Sequence, residues 1–380
     1  MFRLIIAIIL FGASLLAVFP IPAKQVWYLA IAVSEFPWVW LIIGLALISW
    51  ILLSHHSATK WPSLIITIAA LLLFVLPIIQ AYKIAGSLEK RLTASFGAAP
   101  VALDHTHRAT PFSALAMISG IGIPDRPFQT YQYAPGGTEH SLNFYPSAMS
   151  GKRPCILVVH GGSWKSGSNA ELPDVDHYFA NAGYQVATMN YRLAGMAKFP
   201  APREDVHSAL EWLRQHAASL QIDTQNFVLI GRSAGGQIVL DAAYSLQEPG
   251  LKGVISFYGP VNMTFGYKEP HNQLVMKNRD VLSAFLGGSP DQVPEQYRSA
   301  SPVLALNAHS VPTLIVHGML DQHVHFAESV MLDRRLQELN VPHLLLGLPW
   351  ATHGCEYSLN GPSGQLAVFA EEWFLRSVCR

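Results

Sequence analysis

The sequence predicts an α/β fold, a mostly parallel sheet with helices on both faces, preceded by an N-terminal transmembrane helical region. Three observations carry this. From residue 128 onward, short apolar runs alternate with helix-length stretches, the pattern of parallel strands joined by helical crossovers. One run, Phe227-Val228-Leu229-Ile230, passes directly into Gly231-Arg232-Ser233-Ala234-Gly235 and then into a helical pattern. Finally, residues 1–82 carry only Arg3, Lys24, Glu35 and Lys60 as charged side chains.

In chain order, the apolar segments 4–19, 26–53 and 64–82 are each read as a spanning helix, because a bilayer needs about 20 apolar residues per helix. Glu35 and Pro37 interrupt the second, so two helices, or a fourth short segment split at Glu35-Pro37, are the alternatives to three; Pro77 lies near the end of the third. The first has the short basic start of a secretory signal in Arg3. It lacks a small-x-small cleavage site, and two more apolar segments follow. Lys24, Lys83, Lys90 and Arg91 fall on one side of three spans, against Arg3 and Lys60 on the other. Lysine and arginine favour the cytoplasmic face, so the domain that follows is expected inside the cell. Residues 83–125 are read as a connector, with an amphipathic helix over 84–96 along the membrane surface and an irregular link after it.

The remaining residues, 126–380, form the expected catalytic domain. Strands are predicted over 128–133 and 141–145 as an antiparallel edge pair around the Pro135-Gly136-Gly137 turn. Further strands are predicted over 155–160, 185–190, 227–231, 253–258, 313–317 and 344–348, and helices over 173–181, 203–220, 234–246, 327–339 and 363–378. The stretch 259–310 exceeds an ordinary connection. It is read as a lid with helical pieces at 281–286 and 294–299, and Tyr258, Phe265, Tyr267 and Phe285 are its candidate pocket walls.

Of the 380 residues, 51% are hydrophobic and 13% charged, against about one quarter charged in soluble domains; the shortfall is not spread evenly and is deepest in residues 1–82, which hold only the four charges named above. The formal net charge is zero, which points away from a nucleic-acid partner. The three cysteines, Cys155, Cys355 and Cys379, are odd in number and without a spacing pattern, so no disulfide framework is expected.

The chemistry centres on Ser233. A serine on a tight strand-to-helix turn holds its hydroxyl clear of the sheet, and Gly231 and Gly235 leave room for so sharp a turn. A serine hydroxyl is a weak nucleophile, and it needs a histidine base oriented by a carboxylate. Both follow in order. Asp321 lies three residues past the strand ending at His317-Gly318, and His353 lies past the last strand, in Ala351-Thr352-His353-Gly354. The ends of parallel strands are where open α/β sheets place their sites. His160-Gly161-Gly162-Ser163-Trp164 follows the strand at 155–160. The N–H of Gly161 or Gly162, with that of Ala234 at the helix start, is assigned as an oxyanion hole, and His160 as the anchor of its loop.

Taken together, His160-Gly-Gly-x-Trp164, Asn190-Tyr-Arg-Leu193, Gly231-Arg-Ser-Ala-Gly-Gly236, His317-Gly-x-x-Asp321 and His353-Gly354 resemble the esterase/lipase branch of the α/β-hydrolase superfamily. The likeness is to its hormone-sensitive-lipase-like and feruloyl- or acetyl-esterase-like carboxylesterases, over residues 128–380. It implies an α/β-hydrolase fold and a Ser233–Asp321–His353 triad without cofactor or metal. Two positions depart from the pattern: Ser163 stands where the branch has a third loop glycine, and Arg232 is a charged residue inside the elbow, expected to face the acyl or leaving-group side.

Structural readings compete at each position. Ser233 also suits a helix N-cap, Asp321 a turn, and Glu328 is a fallback carboxylate within a helix. His317 is expected to close its strand, and Asp205 to brace a loop near the site. The pairs His323/His325 and His105/His107 have no acidic or thiol cluster beside them in sequence, so no metal site is expected. The expected function is a membrane-anchored serine hydrolase of carboxylic esters, with a small-molecule, lipid-like ester and the bilayer as partners. An acyltransferase or an amidase/peptidase with the same triad is the alternative within enzymes, and an inactive scaffold module the alternative outside them.

Overall fold

A computed structural model describes residues 1–55, 57–98, 108–120, 122–269 and 272–379. His105 and His107 lie outside the described residues. The central runs form strands buried on both faces and read largely as continuous hydrophobicity, whereas the first strand is mostly exposed. The strands are β1 Gln129–Gln132, β2 Ser141–Tyr145, β3 Arg153–Val159, β4 Gln185–Met189, β5 Ile222–Arg232, β6 Leu251–Phe257, β7 Thr313–Gly318 and β8 His343–Leu348. Among the described residues they make one sheet, ordered β1-β2-β4-β3-β5-β6-β7-β8. The β1–β2 and β2–β4 pairs are antiparallel, and every other pair is parallel.

Alternate side chains of the central strands feed two cores. Leu157, Val159, Phe227 and Leu229 enter one core with Val206, Leu210, Ile238 and Val239, from helices α7 (Ala201–Gln215) and α9 (Ala234–Ser245). Ile156, Val158, Val228 and Ile230 enter the other. That second face is covered by α6 (Pro173–Asn181) and α15 (Pro362–Val378), and also by the N-terminal region.

The N-terminal region departs from three spanning helices. The helices are α1 Phe2–Ser14, α2 Trp27–Glu35, α3 Pro37–Leu53 and α4 Lys60–Phe96. The first apolar segment gives only 13 helical residues plus a short 3-10 turn. The second is broken at Phe36, where α2 and α3 meet at 86°, because Pro37 has no N–H to continue the preceding helix and starts a new one instead. Among the described residues one helix, α4, is long and apolar enough to cross a membrane, or two spans if the bent α2–α3 pair counts as one. Ala7, Leu10, Leu47, Ala70 and Phe74 pack α1, α3 and α4 together, while Ile5, Ile8, Ile9, Ile42, Ile43, Leu45, Ile65 and Leu72 remain exposed.

No break in α4 marks residue 82, and 84–96 is not a separate surface helix. Leu88 and Leu92 are fully buried in the second core. Burying two leucines contributes about 3–6 kcal/mol, enough to carry the helix past Pro77. Arg91 donates to the Leu345 carbonyl of β8 (2.7 Å), and Phe96 packs edge-on against Phe374. Glu35, a lone acid in an apolar segment, requires a partner. It accepts from the Ser363 N–H (3.0 Å) and hydroxyl (2.7 Å) at the start of α15, where a carboxylate also complements the helix dipole.

The remaining helices are α5 (Ala114–Ser119), α8 (Ala217–Leu220), α10 (Met263–Lys268), α11 (Asn278–Leu286), α12 (Pro294–Ser299), α13 (Pro302–Ala305) and α14 (Phe326–Glu338). The lid thus holds α10 and α13 beside the two expected pieces. All three cysteines are free.

Candidate active site

Strand β5 delivers Ser233 to the edge of the sheet with φ +53° and ψ −117°, a conformation that costs about 1–3 kcal/mol in a non-glycine residue. The flanking glycines make it possible. A Cβ on Gly231 would collide with the Gly235 carbonyl, and one on Gly235 with the Val159 and His160 carbonyls. The Ser233 N–H donates to the Phe257 carbonyl at 2.9 Å, and α9 begins at the next residue.

The loops after β7 and β8 bring two further predicted residues to Ser233. His353 Nε2 stands 3.0 Å from Ser233 Oγ, and Nδ1 stands 2.6 Å from Asp321 Oδ2. The carboxylate can only accept, so Nδ1 carries the proton and Nε2 presents its lone pair to the serine hydroxyl. Asp321 is buried. Its Oδ1 accepts the N–H groups of His323 (2.7 Å) and Val324 (3.0 Å). Burial alone would raise its pKa, but His353 and the hydrogen bond from His317 outweigh it and hold the carboxyl well below its ordinary value.

His317 therefore does more than close its strand. Its Nε2–H points at Asp321 Oδ2 and the Val324 carbonyl, each at 3.2 Å, while Nδ1 faces the Ser329 hydroxyl at 2.7 Å. It is a second donor to the Asp321 carboxylate, a contact the sequence reading missed. The available signal was the His-Gly-x-x-Asp spacing.

The glycines of the 160–164 loop lie beside Ser233. A Cβ on Gly161 would stand 3.3 Å from Ser233 Cβ. Gly162 has φ +102°, and a Cβ there would collide with the Ser166 carbonyl, so this turn requires glycine. Ser163 follows at φ +56°. His160 braces the loop by its Nδ1 bond to the Gly161 carbonyl (2.8 Å) and by stacking on Tyr191. Burial lowers its pKa to about 4. Ala234 is buried at the first position of α9, where helix N–H groups are unpaired and carry partial positive charge.

The other candidates are held by partners of their own, although Glu328 and Arg232 border the cavities at Ser233. Glu328 lies in α14 and accepts the N–H groups of Val261 (2.6 Å) and Asn262 (2.9 Å); burial raises its pKa to about 7. Asp205 braces Arg192 through its N–H and guanidinium, each at 2.8 Å. Arg232 does not present a free charge to the ester. It is buried with Nε 3.3 Å from Glu356, and Asp176 and Glu371 also act on it. Asp321, His323 and His353 do bring ligand-type atoms within 4.8 Å of one another, unlike the sequence expectation of no acid near His323. The Asp321 oxygens are taken by hydrogen bonds, and His353 Nδ1 is one of the donors.

Two unequal chambers open on Ser233. The smaller, about 30 Å³, is lined by Trp164, Ala234, Met276, Val281, Leu282 and Val324, with Ser163 at its edge. The larger, about 550 Å³, is lined by Tyr258, Arg232 and His353, and also by Lys24 and Trp27 of the N-terminal region. Of the four aromatic residues expected as walls, Tyr258 lines a chamber. Phe285 stacks behind Trp164 (4.4 Å), Phe265 lies against His325, and Tyr267 lies against Tyr297.

Trp27 was not anticipated. Its Nε1–H donates to the His353 carbonyl at 2.8 Å, and its ring lies 4.8 Å from His323 and 6.2 Å from Tyr357. Trp27→Phe keeps most of this packing and removes the donor. A net hydrogen bond is worth about 1 kcal/mol, so kcat/KM for p-nitrophenyl acetate is expected to fall about fivefold. An unchanged value would show that the bond does not hold the histidine loop.

Residues 143–336, just over half of the chain, match the BD-FAE family. Esterase LipQ of Mycobacterium tuberculosis is 25% identical over 228 residues, covering 54% of this chain and 52% of that protein. The chain spans about half the length of the curated relatives it matches. Two solved structures share the fold. A truncated carbohydrate esterase from gut microbiota has a TM-score of 0.55 at 20% identity, covering 64% of this chain and 96% of that one. Thermogutta terrifontis esterase 2, phosphonylated by sarin, has a TM-score of 0.53 at 22% identity, covering 67% of this chain and 93% of that one. With a serine elbow and a mostly parallel eight-stranded sheet, the chain belongs to the BD-FAE family, in the esterase branch of the α/β-hydrolases.

Proposed function

We propose that the protein is a membrane-anchored serine hydrolase that cleaves carboxylic esters of short acids. The observation that carries this reading is the hydrogen-bonded chain from Ser233 Oγ through both nitrogens of His353 to Asp321. His353 Nε2 takes the hydroxyl proton as Ser233 Oγ bonds to the ester carbonyl carbon. The resulting oxyanion is held by the N–H groups of Gly161 or Gly162 and of Ala234. His353 then gives the proton to the departing alcohol oxygen as that carbon–oxygen bond breaks. Water, activated by the same nitrogen, attacks the acyl-enzyme, releases the acid and restores Ser233. Asp321 keeps the proton on Nδ1 throughout and stabilises the imidazolium.

The small chamber beside Ser233 and Ala234 suits the acyl group. At about 30 Å³ against about 550 Å³ it is much the smaller of the two chambers, which suits a short acyl group better than a long chain. The large chamber suits the alcohol.

Anchoring is supported by α4 and by the exposed apolar faces of α1 and α3. Large outward apolar patches mark membrane or protein contacts. Lys24, Lys83, Lys90 and Arg91 stand opposite Arg3, which bonds Ser57 near Lys60, and the cytoplasmic preference of basic residues favours a catalytic domain on that face. A substrate alcohol presented at the membrane is consistent with this anchoring.

The test is hydrolysis of p-nitrophenyl acetate, butyrate and decanoate by detergent-solubilised full-length protein. Forcing extra methylenes into a packed pocket costs about 1–3 kcal/mol. The kcat/KM for decanoate is therefore expected about 100-fold below that for acetate. Comparable decanoate turnover would remove the short-acyl assignment. Failure to hydrolyse any ester, with no labelling by an active-site phosphonate, would remove the hydrolase assignment.

A further inference from the structure

We infer that the large chamber is a subsite for an anionic alcohol, built jointly by the N-terminal region and the catalytic domain; this rests on the ester-hydrolase reading above. Lys24, Lys165 and Lys277 all line the chamber. They come from three separate elements: the segment before α2, the 160–166 loop, and the residue that precedes α11. Glu171 also lines the chamber, as the acid set against them, while the Arg232 charge is already matched by Glu356 at 3.3 Å. Among the described residues, none of the three lysines is in an ion pair.

The placement of Lys24 is built rather than incidental. Its N–H donates to the Leu274 carbonyl (3.2 Å), and Asn272 Nδ2 donates to the Pro22 carbonyl (2.6 Å). Ile21 and Ala30 pack on Val275 beside these bonds. The N-terminal segment is thereby pinned to the lid across the mouth of the site. Trp27 and Tyr357, packed edge to face, supply an aromatic wall on the same side. Three lysines against one acid leave the lining with an excess of positive charge, and a concave site with such an excess concentrates ligands of the opposite sign. Its chemical class is a short-acyl ester whose alcohol carries a carboxylate, sulfate or phosphate beside an apolar or ring portion.

The probe pair is 3-(4-acetoxyphenyl)propionate and the matching propionamide. Two methylenes insulate the phenol from the charge, so the two esters differ little in intrinsic reactivity. At low salt the anionic ester is expected to have a kcat/KM about tenfold higher, expressed mainly in KM, and 0.5 M NaCl is expected to erode the difference. In the K24Q/K165Q/K277Q variant the ratio should fall to about one. Lys152→Gln, at the opposite end of β3 from the site, should keep it. A ratio of one or below in the wild-type protein, while p-nitrophenyl acetate is turned over, overturns the subsite and leaves the hydrolase reading standing. No turnover of p-nitrophenyl acetate overturns both. The source of the anion is assigned by competition: glycerol 3-phosphate as the better inhibitor indicates a soluble anionic alcohol, and phosphatidylglycerol in mixed micelles a lipid headgroup.

Discussion

Ser233→Ala is expected to lower kcat for p-nitrophenyl acetate by about 10⁴-fold or more, because loss of a triad nucleophile leaves only binding and oxyanion stabilisation. Labelling by a phosphonate should disappear with it. The fold should be retained. Ser233 donates its backbone N–H to Phe257, and alanine keeps that bond. The strain at φ +53° also remains, since alanine, like serine, carries a Cβ. Ser233→Gly removes it, and relief of such strain is worth about 1 kcal/mol or more. The glycine variant should therefore be equally inactive but melt a few degrees above the alanine variant. Activity persisting in both would show that another group attacks the ester. Equal melting temperatures would show that the elbow is not strained in solution.

The parts of the molecule legible in the sequence are those fixed by neighbours in the chain. The parallel strands read as apolar runs because both faces are buried, and the glycines at 231 and 235 announce a turn that larger residues cannot enter. The eight strands and four of the five long helices of the domain fall close to expectation, as do both short helices expected in the lid; the expected helix 203–220 is two, α7 and α8, parted at His216. The N-terminal region was less legible because its arrangement depends on contacts hundreds of residues away. Glu35 looks like an interruption until Ser363 is beside it. Trp27 looks like one more apolar residue until its indole meets the His353 carbonyl. Leu88 and Leu92 fit a helix on a membrane surface as well as one on a sheet, and only the packing of β8 and α15 decides between them. For the same reason His317 reads as a strand end: its bond to Asp321 spans four residues, but the position of Ser329 on its other side is set by α14.

Asp321→Asn tests the carboxylate, and the backbone determines how it should fail. Asp321 Oδ1 accepts two N–H groups, from His323 and Val324. An asparagine is thus held with its oxygen at that position and its NH₂ where Oδ2 was, facing His353 Nδ1 and His317 Nε2. The amide then donates to His353 Nδ1 and forces the proton onto Nε2. In that tautomer the ring offers Ser233 a donor and cannot accept its proton. A triad carboxylate replaced in this way costs about 10⁴-fold in kcat, and the same is expected here with KM little changed. The linkage to stability has a defined sign. Burial opposes ionisation of Asp321, but His353 and His317 together lower its pKa in the folded state. Its stabilising contribution is therefore complete above the unfolded carboxyl pKa of about 3.9 and is lost as pH falls through the folded value. The melting-temperature deficit of Asp321→Asn should shrink as pH falls below about 4, where the wild-type carboxylate begins to lose its advantage. A deficit that keeps growing below about pH 4 would mean that Asp321 is not held as an anion. A kcat loss below about tenfold would mean that His353 keeps its working tautomer without the carboxylate, so that the Trp27 indole at its carbonyl and the Ser233 hydroxyl suffice to orient the ring.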